Sequence, residues 1–177
     1  MAPKILVQFD GSNFYNKVKQ MNPSIHLTNF NYLSFAQSIT KTRVIKTVYY
    51  VGEIKQYEGN KKSERLFNGQ QSLFLNLRKQ NFEIKLGYLL MSNGRYHEKG
   101  VDVQIAVDMV RGAIKNEYDI CYLISSDTDL LPAIKTAREE RKKIIYVAFE
   151  NSISRALLKN CSSFYLTKKQ DFVIKTS

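Results

Sequence analysis

CYLISSDTD (121–129) is an apolar run that stops at two carboxylates one residue apart. Together with Tyr118-Asp-Ile before it, the run has the makeup of a buried strand. Ser, Thr and Asp are the residues that turn a chain and cap the helix that follows. The same order opens the chain, where KILVQFD (4–10) and then GSN (11–13) lead into a helix of about two turns. VIKTVYYVG (44–52), FEIKLGYLLM (82–91) and IIYVAF (144–149) are also strand-like, being rich in β-branched and aromatic residues. Helical stretches near 31–39, 63–80, 101–114 and 130–142 separate them. Strands alternating with helices call for parallel neighbours joined by right-handed crossovers. The expected fold is therefore a Rossmann-like three-layer α/β/α sandwich with a mainly parallel central sheet of about five strands.

Local signals refine this outline. Asn93-Gly94 predicts a type I′ hairpin turn, so residues 95–97 return briefly beside the preceding strand. KGVD then opens a long helix, whose spacing puts Val103, Ala106, Val107, Val110 and Ile114 on one apolar face. In the stretch 63–80, Leu66, Leu73, Phe74 and Leu77 fall near helical spacing, and Pro132 suits the first turn of the 130–142 helix. NSISRALLKN reads as a short helix opened by Asn151 or Ser152, and SFYLT as a last extended piece. One domain over 1–167 and a tail over 168–177 account for the chain.

With 177 residues, 44% of them apolar and 24% charged, the chain has the composition of a folded domain and not of a disordered one. No apolar run approaches the roughly 20 residues of a membrane span, and MAPKILVQFDG has no signal-peptide pattern. A cytoplasmic protein with no membrane partner is expected. Cys121 and Cys161 are too few and too isolated for a zinc site and read as reduced core residues. A net charge of +11 favours a polyanionic partner.

In a doubly wound sheet, ligands bind beyond the carboxyl ends of the strands. The segments 10–13, 52–62, 91–102, 125–129 and 149–152 are expected on that rim, and with them Asp10, Asp102, Asp127 and Asp129. Each acid has an ordinary alternative. Asp127 or Asp129 could cap the next helix, Asp102 could complement a helix dipole, and Asp10 could close an Asx turn. Four acids on one rim repel one another, however, and an all-oxygen set without His or Cys suits a hard cation such as Mg²⁺. Ser12, Ser125, Ser126 and Thr128 are placed to brace the carboxylates, and Asn13 lies beside Asp10 at a helix start, where a phosphate is also well received. Asp108, six positions after Asp102, points away from it and reads as structural.

Several classes lose support. The chain has no GxxxxGK[ST] phosphate loop, no GxGxxG after the first strand, no HExxH and no Gly-x-Ser-x-Gly elbow; His97 reads as a surface residue. The rim instead carries Lys55, Lys61, Lys62, Arg65, Arg95 and Lys99 interleaved with Tyr15, Tyr57 and Tyr96. Cations that follow a phosphate backbone and aromatics that stack on bases are the components of a single-strand binding surface.

FDGSN (9–13), KGVDVQIAVDM (99–109) and YLISSDTDLLP (122–132), in this order, resemble the NYN domain family, a branch of the PIN-like ribonucleases. The resemblance covers nearly the whole chain. It implies a PIN-like α/β sandwich whose acidic cluster binds Mg²⁺ or Mn²⁺ for RNA cleavage. On this reading Asp10, Asp102, Asp127 and Asp129 are the metal-site and catalytic acids, with Asn13 as the polar partner after the first. Ser12, Lys62, Arg65 and Lys99 join Asn13 on the RNA. Two positions depart from the family's common Ser-Gly-Asp-x-Asp-Phe: Ser126 stands in place of Gly and Leu130 in place of Phe. The expected activity is that of a divalent-metal-dependent endoribonuclease acting on single-stranded or structured RNA. The competing expectation is a noncatalytic RNA-binding or partner-docking module on the same fold; a metal-dependent phosphatase fits the broad basic rim less well. A homo-oligomer or a further protein partner is compatible with either.

Overall fold

The computed structural model describes residues 2–42, 46–56, 59–92 and 95–172. β1 (Ile5–Asp10), α1 (Gly11–Met21), α2 (Tyr32–Thr40), β2 (Lys46–Glu53), α3 (Lys61–Lys79) and β3 (Glu83–Ser92) form the first half. β4 (Arg95–Lys99), α4 (Val101–Ile114), β5 (Ile120–Ile124), α5 (Leu131–Glu139), β6 (Lys143–Phe149), α6 (Arg155–Asn160) and β7 (Ser163–Thr167) complete it. The strands make one sheet in the order β4-β3-β2-β1-β5-β6-β7. Every neighbouring pair is parallel except β3 and β4.

All six residues of β1 are buried, as expected of a central strand covered on both faces. Ile5, Val7 and Phe9 face a core shared with α1, α2 and α3, while Leu6 faces a second core shared with α4, α5 and α6. Phe9 anchors the first core, with the rings of Phe14, Tyr32, Phe35, Tyr49 and Phe82 all centred within 6.1 Å of its own. The three-layer α/β/α architecture is therefore present, with one correction: the sheet has seven strands and not about five. The two additions, β4 (RYHEK) and β7 (SFYLT), are the sheet's edges. Both fall on the short extended pieces expected at 95–97 and SFYLT, and each has a neighbour on one side only.

Three further expectations change. α1 extends over 11 residues, beyond the expected two turns. The short helix before β7 is capped by Ser154 and not by Asn151 or Ser152. The apolar face of α4 is rotated: Val101, Ile105, Met109 and Ala113 are buried, whereas Val103, Val107 and Ile114 are 61%, 49% and 63% exposed. Both stripes have helical spacing, and the buried polar Asp108 decides between them. Asp108 accepts from Lys85 Nζ at 2.6 Å, Arg111 at 2.6 Å, Tyr50 Oη at 3.1 Å and Gln104 at 3.1 Å. Burial alone would raise its pKa, but the bonds from Lys85 and Gln104 hold it below the usual carboxylate range.

The hairpin also corrects the rim. Tyr88 pairs with both Glu53 and Lys99, so β3 runs past the end of β2 and β4 returns to its level. It is the return strand that delivers Asp102. The turn residues Asn93 and Gly94 lie outside the described residues, as does Tyr57. At the other end of the chain, residues 169–172 form a 3₁₀ turn whose Phe172 is buried against Phe35 and Phe149.

Candidate metal centre

The strand order reverses at β1, between β2 and β5, and the acids gather beyond the ends of these strands. Asp10 closes β1 in an extended conformation and caps α1, its Oδ1 accepting the Asn13 N–H at 3.1 Å. Its Oδ2 accepts the Ser125 hydroxyl at 2.7 Å, and that same oxygen of Ser125 accepts the Asp127 N–H at 3.1 Å. Ser125 thus ties the first strand's acid to the third block. Asp127 caps the 3₁₀ turn Thr128–Leu130 with Oδ1, which accepts the Asp129 N–H at 2.9 Å. The capping and metal readings are compatible, because one oxygen of Asp127 caps and the other is left for a ligand.

Asp102 arrives from the opposite side, in the first turn of α4. Gly100 precedes it at φ +81°, a left-handed conformation that a side chain would strain. Carboxylate oxygens of Asp102, Asp127 and Asp129 all lie within 4.8 Å of one another. Among the described residues no lysine or arginine forms an ion pair with any of these three or with Asp10. Asp10 is not one of these three, but it counts Asp127 among its charged neighbours. Burial pushes its carboxyl up to about 6; the Ser125 and Asn13 bonds oppose this, while Glu98 and Asp127 add repulsion.

Glu98 is the member that the sequence reading overlooked. It accepts the Ser12 hydroxyl at 2.8 Å and the Gly52 N–H at 2.6 Å, and a Cβ added to Gly52 would fall 2.9 Å from its carboxylate. Its signal is the period of two along RYHEK, which sets Glu98 opposite His97 and Lys99. That period is readable only once β4 is recognised as a strand.

The remaining expected residues separate by location. The side-chain oxygen of Asn13 accepts the Ser126 N–H at 3.3 Å, which makes Asn13 a strut between α1 and the 125–129 loop. The Ser126 hydroxyl lies 3.3 Å from the hydroxyl of the buried Tyr146, so its side chain is accommodated in the 125–129 loop. Thr128 is exposed, and its hydroxyl meets no described residue. Lys62 and Arg65 are exposed on α3, and Lys99 is exposed at the end of β4.

Three carboxylates this close without a protein cation fit a divalent metal ion, since oxygen ligands at fixed separation otherwise carry uncompensated repulsion. The fold recurs in a solved structure over nearly its whole length. A Vibrio parahaemolyticus protein of unknown function, VPA0982, superposes with a TM-score of 0.70 at 21% identity, covering 97% of this chain and 96% of that one. A zinc-bound T5 5′-exonuclease overlaps more loosely, with a TM-score of 0.43 at 20% identity over 73% of this chain and 52% of that one. The uncharacterized protein MJ0482 of Methanocaldococcus jannaschii is 33% identical over 72 residues, which are 41% of this chain and 30% of that protein's length. The NYN domain model matches residues 4–168, and the chain belongs to the NYN domain family.

Proposed function

We propose that this protein is a divalent-metal-dependent endoribonuclease that hydrolyses RNA phosphodiester bonds in the cytoplasm. The observation that carries the reading is the trio Asp102, Asp127 and Asp129, within 4.8 Å of one another at the point where the strand order reverses. These three would hold the ion, with Asp10, tied to the Asp127 backbone through Ser125, as a further carboxylate of the set. A set of oxygen ligands without His or Cys suits hard cations such as Mg²⁺ or Mn²⁺. When bound, such an ion polarises the phosphoryl group and lowers the pKa of a coordinated water.

The chain's own residues do the rest. Ser125 fixes the distance between Asp10 and the Asp127 backbone, and the Asp127 cap fixes the turn that presents Asp129. Asp102 makes no side-chain hydrogen bond among the described residues, which leaves its carboxylate for the ion beside those of Asp127 and Asp129. Lys62, Arg65 and Lys99, exposed around the rim, neutralise flanking phosphates. No helix among the described residues is long and apolar enough to cross a membrane, and the thiols of Cys121 and Cys161 are free and buried.

The test is cleavage of labelled RNA in Mg²⁺, Mn²⁺ or EDTA, with wild type beside Asp127→Asn. Expected are chelator-sensitive cleavage by wild type and a loss of roughly 100-fold or more in the variant, whose far-UV circular dichroism is unchanged. Undiminished cleavage by a clean variant preparation overturns the assignment. Salt-sensitive RNA binding that ignores chelator, with no cleavage, would instead assign the fold a noncatalytic RNA-holding role.

A further inference from the structure

A groove of about 590 Å³ lies between α1 and α3 and reaches the residues that follow Asp10. Its size falls in the range of roughly 300–1,000 Å³ typical of ligand sites. Gly11 and Ser12 form its inner end; Gly11 follows Asp10 in the chain, and the Ser12 hydroxyl binds Glu98. Its wall carries Tyr15, 50% exposed, beside Leu66, 43% exposed. Arg65 and His26, both exposed, lie at the same surface. No described residue lining the groove is acidic, although the centre it adjoins is strongly so.

Gly69 supplies a separate observation. It stands mid-way along the 19-residue α3, where glycine weakens a helix. Packing does not require it, because a Cβ built there meets nothing within 4 Å. The space left by the missing side chain belongs to the groove.

We propose that this groove seats unpaired bases of a single-stranded RNA whose phosphate backbone leads to the acid cluster. The proposal deepens the nuclease reading and rests on it for the identity of the polymer. Tyr15 offers a ring on which a base can stack, the leucine beside it an apolar wall, and Arg65 a cation for the adjoining phosphate. In a duplex, each base face is already covered by its neighbours and cannot take an aromatic ring. Single strands are therefore the preferred substrate, and Gly69 is a specificity residue that holds the groove open.

The test uses full-length protein carrying Asp127→Asn, so that RNA survives, and reads fluorescence anisotropy of a short labelled oligoribonucleotide, alone or annealed to its complement. Tyr15→Ala and Gly69→Leu are added separately. Each is expected to weaken single-strand binding about tenfold, the effect of losing one base stack, while duplex binding changes little. Gly69→Leu also raises helix propensity, so its melting temperature should match or exceed the parent's. If that variant fails to fold, Tyr15→Ala, at a half-exposed side chain, carries the test. Unchanged single-strand affinity in the folded variants overturns the groove. Cleavage by the wild type alongside that result leaves the nuclease reading standing. Lost affinity in the variants together with an inert wild type does the reverse, keeping the groove and removing the nuclease.

Discussion

Asp10 is a buried carboxylate with one strand-end position, two hydrogen bonds and two acidic neighbours. Its pKa, raised from 3.8 to about 6, means that the fold without metal favours the protonated form. The sign follows from linkage: its contribution to stability is fully present below pH 3.8 and is lost as pH rises through about 6. Complete loss amounts to about 3 kcal/mol, at about 1.4 kcal/mol for each pH unit of displacement. In EDTA, the melting temperature of wild type should therefore fall across that window more steeply than that of Asp10→Asn, which keeps a hydrogen-bond acceptor at the cap. Mn²⁺ added at pH 7 should restore the wild type by occupying the site. Superimposable pH profiles for the two chelated proteins would show that Asp10 carries no such penalty. At this scale the strand-end positions of Asp10, Asp127 and Asp129 were legible from strand-then-acid order, although that order alone equally describes helix caps. Glu98 was not, because its position depends on the pairing of an edge strand.

Among the elements, α4 shows why periodicity alone is insufficient. VDVQIAVDMVRGAI is apolar around most of its circumference, so two stripes compete for the core. The contacts of Asp108 with Lys85 and Tyr50 select the stripe containing Ile105 and Met109. Met109→Ala should accordingly cost about 2–5 kcal/mol in urea unfolding, whereas Val107→Ala should cost no more than about 0.5 kcal/mol. Equal losses at the two positions would contradict the rotation. The hairpin is the second case. Its turn chemistry announced that the chain reverses, but the extent of β4 and the return to the level of Glu53 come from cross-strand pairing with β3. Gly87, paired beside Gly52, permits that closeness: a Cβ there would sit 2.6 Å from the Lys99 carbonyl oxygen.

Across the whole molecule, β1 and the 3₁₀ turn that follows β7 share one core. Phe172 stacks on Phe35 at 5.1 Å and lies 6.1 Å from Phe149, so residues beyond β7 cover the first layer of helices. Phe172→Ala should lower the unfolding free energy by about 3–5 kcal/mol, read as an earlier urea midpoint with little change in slope. A variant indistinguishable from wild type would place the ring outside the cooperative core. The same scale explains the acid cluster. Asp102 and Asp127 lie far apart in the chain and meet because β4 returns the chain to the rim, while the pairing of β1 with β5 lets Ser125 tie Asp10 to the same loop. By itself the sequence determined the alternation of strands and helices, the two-sided burial of the inner strands and the acids that end them, because these follow from local periodicity and turn chemistry. Tertiary structure alone decided the extent and pairing of the edge strands, the face that α4 buries, the recruitment of Glu98 and the groove kept open at Gly69. Each of these depends on which distant residue becomes a neighbour, and that information does not reside in any single segment.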